Sequence, residues 1–228
     1  ADSKALGATL ARPGGWTYSA GDCDQPFTLQ SVSKVFALLF ALDHFGPKEV
    51  FERVGMEPTG DPFNSLLKLE LLEPSKPLNP MINAGALAVC GLLVEGWGDE
   101  AFDRLAFFVR QAAKNPAIDI DSSVYHSERL TADRNRALAY FLKDAGAIRV
   151  DVEKVLDIYF RQCSLQVTCA DLAQLGLFLA VRDTSLGGKI ENFRTVNAFL
   201  VTCGMYNASG EFAVRVGLPA KSGVSGAV

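Results

Sequence analysis

Phe27-Thr28-Leu29-Gln30-Ser31-Val32-Ser33-Lys34-Val35-Phe36-Ala37-Leu38-Leu39-Phe40-Ala41-Leu42-Asp43-His44 is the stretch on which the fold turns. It predicts a helix from about Ser31 to His44, stopped by Gly46-Pro47. The body from Val35 to Phe45 is apolar on nearly every face, the pattern of a helix buried in the middle of a domain. Residues three apart share a helix face, so Ser31 and Lys34 can touch while Val32 and Ser33 point elsewhere. A serine hydroxyl becomes a useful nucleophile only when a base takes its proton. A lysine amine can be that base once its pKa is lowered, and burial and the positive end of a helix both act in that direction.

The spacing alone leaves a plain reading open. An S-x-x-K arises by chance about once in a chain of this length, and a second copy stands at Ser65-Leu66-Leu67-Lys68, where a solvated lysine is the better explanation. Ser31 also suits a simple N-cap.

Outward from this helix, Leu6–Ala11, the turn Pro13-Gly14-Gly15 and Trp16–Ser19 predict a hairpin. Downstream, residues 48–80 carry many Pro and Gly breaks and read as loops around short helices. Helical patterns follow at about 82–95, 99–114, 131–145, 151–161, 168–182 and 191–203. Glu211–Val216 and Leu218–Val224 read as strand material. Hairpin, then helices, then strands predicts an α+β, three-layer arrangement: an antiparallel sheet with a helical part, roughly 48–165, inserted between its sheet-forming ends. One domain over 1–228 is the expected organisation.

Composition narrows the function classes. The 228 residues are 49% hydrophobic and 21% charged, a balance that supports a real core. A net charge of -4 argues against nucleic-acid binding and a polybasic membrane surface, and so favours a small-molecule substrate. The five cysteines, Cys23, Cys90, Cys163, Cys169 and Cys203, are scattered without a C-x-x-C pair, and only His44 and His126 accompany them. That usage predicts free thiols in a reducing compartment, with no disulfide framework, no metal site and no cofactor. The start of the chain has no apolar signal-peptide core, and the uncharged stretch Leu78–Val94 is broken and short of the ~20 residues a bilayer span needs. A cytoplasmic protein is expected.

A second motif shifts the odds on Ser31. Lys221-Ser222-Gly223 follows the expected last strand. Penicillin-recognising serine enzymes carry S-x-x-K at the start of a buried helix and K-T-G or K-S-G on a strand much later. There a backbone N–H after the strand motif, with that of the nucleophile, stabilises the oxyanion. The matching donors here are Ser31 and Val224.

The segments FTLQSVSKVF, NPMINAGAL, Ser127-Glu128, Thr131 to Ala137, CGMYNASGEFA and VGLPAKSGV together resemble the bacterial-type glutaminases from about Thr17 to Val224. The resemblance implies a serine β-lactamase-like fold and hydrolysis of L-glutamine to L-glutamate and ammonia. It further implies Ser31 as nucleophile and Lys34 as its base. Asn83, Glu128 and Asn135 become substrate contacts, Tyr159 and Tyr206 the active-site tyrosines, and Val224 the second oxyanion donor. A homodimer or homotetramer is implied as well. So are a further N-terminal helical segment and further C-terminal strands that these 228 residues do not include, which leaves the expected last strand as an exposed edge. The residue types suit glutamine by themselves: a carboxylate such as Glu128 can meet its ammonium, and Asn and Tyr groups can donate to its carboxylate. The bland readings are a core Tyr159 and surface Glu128 and Asn135. Two other functions share these residues: a β-lactamase or penicillin-binding enzyme using Ser31, Lys34 and Lys221, and a non-catalytic binding module of the same fold.

Overall fold

A computed structural model of the chain describes residues 4–59 and 76–228; the second S-x-x-K, at Ser65 and Lys68, lies outside them. The hairpin forms as expected. Strands β1 (Gly7–Arg12) and β2 (Trp16–Gly21) pair antiparallel, with Leu10 opposite Tyr18 and Arg12 opposite Trp16. A second ladder joins β3 (Phe27–Thr28) to β4 (Gln166–Val167), also antiparallel. Between these two short strands the chain runs through most of its helices.

Helix α1 (Ser33–Arg53) is the axis of the fold, with every residue from Ser33 to Leu42 buried. Around it stand α2 (Asn83–Trp97), α3 (Ala101–Ala113), α6 (Val152–Cys163) and α8 (Ile190–Cys203), while α5 (Asp133–Asp144) covers α2 and α6. Helix α7 (Cys169–Val181) lies between α3 and the hairpin. Its start is fixed by a capping box, in which the Thr168 hydroxyl receives the Asp171 N–H while the Asp171 carboxylate receives the Thr168 N–H. The core is continuous from Leu29 to Cys203 across all these helices. The architecture is α+β, dominated by helices with small antiparallel sheets.

Several expectations need correction. The helix predicted from Ser31 opens with a 3-10 turn over Gln30–Val32, and α-helical geometry begins at Ser33. Gly46-Pro47 does stop the first helical run as expected: Gly46 takes a non-helical φ of 80°, and Pro47 starts a second run to Arg53, a position where its missing N–H costs nothing. Helix α4 (Ser122–Thr131) was not expected, because none of its residues is buried and no apolar stripe marks it.

The predicted strand at Glu211–Val216 is instead part of α9 (Ser209–Val216), and residues 218–224 form no strand. Alternating Val214 and Val216 suggest a strand, but a strand needs a hydrogen-bonded neighbour, and none lies alongside among the described residues. A helix closes its backbone bonds within itself, and here Glu211 and Arg215 add an i,i+4 pair at 2.8 Å. The exposed edge expected at 218–224 therefore does not arise.

Candidate active site

The 3-10 turn before α1 carries Ser31. Its predecessor Gln30 sits at φ 48°, a left-handed conformation that costs a non-glycine residue energy. The surroundings enforce it: Ser33 Oγ donates to the Gln30 carbonyl at 2.7 Å, and Leu29 N–H donates to Leu165 O at 2.8 Å, extending the β3–β4 ladder. Ser31 is thereby set at the rim of the core, half-buried, one turn ahead of Lys34.

Lys34 is 1% exposed. Its Nζ donates to Asn83 Oδ1 at 2.6 Å and to Met81 O at 3.2 Å. Burial lowers its pKa to about 8, against smaller opposing effects of Cys163 and Cys90. The two acceptors come from a built loop. Asn79 Oδ1 receives the N–H groups of Met81 and Ile82 at 3.0 and 3.2 Å, and Asn79 Nδ2 donates to Glu57 O. Gly85 allows α2 to start this close, since a Cβ there would fall 1.9 Å from Asn79 O. Asn83 Nδ2 then donates to Asn135 Oδ1 at 3.0 Å, tying α5 to the same cluster.

Tyr206 enters from the far end of the chain. It holds φ 53°, pinned by Ser209 Oγ, which donates to Tyr206 O at 2.8 Å and accepts the Met205 N–H. Its phenol hydrogen-bonds the Ser31 side chain; burial raises the phenol pKa and that bond opposes the rise. Lys221 Nζ lies 4.0 Å from the Tyr206 ring centroid and Lys34 Nζ 5.9 Å. Lys221 is itself buried, donates to Ser222 O at 2.6 Å, and has its pKa lowered to about 6 by burial and then by Lys34. Its approach depends on Gly204, where a Cβ would lie 1.8 Å from Ala220 O.

Lys34, Asn83 and Asn135 thus form one hydrogen-bonded chain, and Tyr206, beside Ser31, lies with its ring centroid 5.9 Å from Lys34 Nζ. Tyr159 is buried, and burial first, then Cys163 and Tyr206, push its phenol well up. Glu128 stands half-buried on α4. Val224 is placed differently. Gly223 packs against the Ser31 turn, its added Cβ falling 3.0 Å from Leu29 O, while Val224 turns its side chain to solvent. Among the described residues no hydrogen bond joins Val224 to Ser31.

Sequence reasoning assigned Lys221 a role only under the β-lactamase reading, and it did not reveal the Met81 carbonyl or Cys163, whose thiol is pushed up to about 12 by burial. The pattern K-S-G pointed toward Lys221; no sequence signal marks a backbone carbonyl. Among the described residues no group of three or more His, Cys, Asp or Glu is arranged to hold a metal, and no helix is long and apolar enough to cross a membrane.

A buried lysine one turn after a half-buried serine, on the central helix of an α+β fold, places the chain in the serine β-lactamase-like class. A glutaminase family profile matches residues 1–228. The glutaminase of Alkaliphilus metalliredigens is 52% identical over 233 residues, covering 100% of this chain and 76% of that protein. Glutaminase 1 of Halalkalibacterium halodurans is also 52% identical, with the same coverage. Among solved structures, a Bacillus subtilis probable glutaminase superposes with a TM-score of 0.92 at 41% identity, covering 97% of this chain and 72% of that one. A Bacillus subtilis glutaminase in covalent complex with 5-oxo-L-norleucine, formed by reaction with 6-diazo-5-oxo-L-norleucine, gives a TM-score of 0.83 at 36% identity, covering 97% and 72%. The chain belongs to the glutaminase family.

Proposed function

We propose that this chain hydrolyses the side-chain amide of L-glutamine to L-glutamate and ammonia through an ester on Ser31 Oγ. The observation that carries this is the state of Lys34. A neutral amine has two N–H groups and one lone pair. Met81 O and Asn83 Oδ1 take two N–H donors, which leaves the lone pair for the Ser31 hydroxyl. Burial makes the neutral form accessible near pH 8. Lys34 takes the Ser31 proton as Oγ attacks the substrate carbonyl, and the backbone N–H groups of Ser31 and Val224 receive the oxyanion. Lys34 returns that proton by way of Tyr206 to the departing ammonia; neutral again, it takes a proton from the water that attacks the ester and gives it to Ser31 Oγ as glutamate leaves.

Glu128 meets the substrate ammonium, while Asn83, Asn135 and Tyr159 border its carboxylate end. Lys221 holds the Tyr206 ring in place from behind. An apolar groove of about 440 Å³ beside Val35, Phe36, Leu175 and Leu200 offers few hydrogen-bonding partners for a zwitterion, so the substrate belongs at the polar cluster. On this reading the chain is one glutaminase domain, and its five free thiols support a cytoplasmic setting. Glutamine-dependent ammonia release is expected to vanish in Ser31→Ala. Full activity in that variant, or turnover of a β-lactam in place of glutamine, overturns the assignment.

A further inference from the structure

Two of the five thiols, both outside the site, lie together. Cys23 follows the hairpin and Cys169 opens α7, directly after the β3–β4 ladder. The Cys169 N–H donates to Cys23 O at 3.3 Å, and a Cβ added to Gly7 would lie 3.1 Å from both Cys169 Sγ and Cys23 N. The Cys23 thiol donates to Ala20 O at 2.8 Å and to Ala8 O at 3.3 Å. A direct backbone bond between the two residues brings their Cα atoms into the range, roughly 4.4–6.8 Å, that a disulfide accepts.

We propose that Cys23 and Cys169 form a dithiol site that a low-molecular-weight disulfide converts to an intramolecular bridge, stapling the hairpin to α7. Cys169 is partly exposed and provides entry. Its thiolate attacks one sulfur of glutathione disulfide and expels a glutathione thiolate. The Cys23 thiolate then attacks Cys169 Sγ and expels the second. The two thiol protons end on the two glutathiones, so one disulfide is exchanged for another without a further oxidant.

Cys23 supplies the resolving thiolate: burial opposes it, but hydrogen bonds led by the Thr9 hydroxyl outweigh burial and set its pKa below the ordinary thiol value. Burial and then the neighbouring Cys23 raise the Cys169 pKa, so the entry step quickens as pH rises. Cys90 and Cys163, also neighbours, are fully buried, and burial raises both pKa values, so they stay protonated and out of reach. Cys203 is buried in α8 without a thiol partner among the described residues.

The test is to incubate the full chain with excess glutathione disulfide, then read intact mass, a non-reduced peptide map and thermal unfolding. The expected product has lost two hydrogens, keeps no glutathione, and links the Cys23 peptide to the Cys169 peptide. The long loop it closes raises Tm by about 5–15 °C, a gain that dithiothreitol abolishes and that Cys23→Ser and Cys169→Ser never show. A bridge between other cysteines, a lasting glutathione adduct on Cys169, unchanged thiols, or a correct bridge with unchanged Tm overturns the proposal.

Discussion

Replacing Asn83 by Asp puts a carboxylate where Lys34 Nζ now meets the amide oxygen at 2.6 Å. At an effective dielectric constant of about 20, a unit pair at that distance interacts by roughly 6 kcal/mol. Even a third of that, about 2 kcal/mol, raises the lysine pKa by roughly 1.5 units. The wild-type amine, at about 8, is half neutral at pH 8. In Asn83→Asp only about 3% is neutral there, so kcat/KM at pH 8 falls roughly 15-fold from this effect alone. Loss of a substrate contact lowers the whole profile further without moving it. The informative quantity is therefore the position of the ascending limb in initial-rate ammonia or glutamate assays between pH 6.5 and 9.5. A wild-type limb centred near 8 and a variant limb displaced to more alkaline pH are expected. A variant limb that stays near 8 at reduced height refutes Lys34 as the base.

Further outcomes follow from neighbouring groups. The folded pKa of Lys221, about 6, lies below the ordinary lysine value near 10.5, so the folded state binds fewer protons than the unfolded one between them. Its contribution to stability is therefore greatest above about pH 10.5 and is lost as pH falls through about 6. Lys221→Met is expected to unfold at higher denaturant than wild type at pH 6, by a few kcal/mol at most, with the gap closing by pH 10, while kcat drops about tenfold or more; equal slopes with pH in both proteins contradict this.

Tyr125 on α4, one turn before Glu128, hydrogen-bonds Asp157 on α6, which also pairs with Arg161 at 3.3 Å. Tyr125→Phe removes a bond of about 1 kcal/mol that holds α4 in place. KM for glutamine is expected to rise roughly three- to tenfold with kcat nearly unchanged, and a fall in kcat alone would show that α4 does not position Glu128.

What could be read from the sequence depended on how local its cause was. Helix α1 was legible because its apolar faces state its burial directly, and Lys34 became a candidate base from spacing and burial alone. The 3-10 turn at Gln30–Val32 was not, because the strain at Gln30 comes from the Ser33 hydroxyl and from a Leu165 carbonyl far along the chain. Helix α4 hid behind its polar faces, although Asp121, which caps it by accepting the Ser123 and Val124 N–H groups, was a readable start signal. The strand assigned to Glu211–Val216 shows the limit of alternation as a guide: valines at every second position suit a strand only where a sheet exists to receive them. In the cluster, residue types at Asn83, Asn135, Glu128 and the two tyrosines pointed to glutamine through family resemblance. The linkage of Lys34, Asn83 and Asn135 needed the folded chain, as did the placement of buried Lys221 against Tyr206.

The central claim is that Ser31 Oγ is the group that bonds to the substrate carbonyl carbon. It is tested most directly by treating the chain with 6-diazo-5-oxo-L-norleucine, the reagent that forms the covalent complex in the Bacillus subtilis relative, and mapping the adduct by peptide mass spectrometry. The account predicts one equivalent of label, on the peptide containing Ser31, with loss of activity in step and no label in Ser31→Ala. Inactivation with the label on Cys163 or any other side chain, or undiminished labelling of Ser31→Ala, contradicts it.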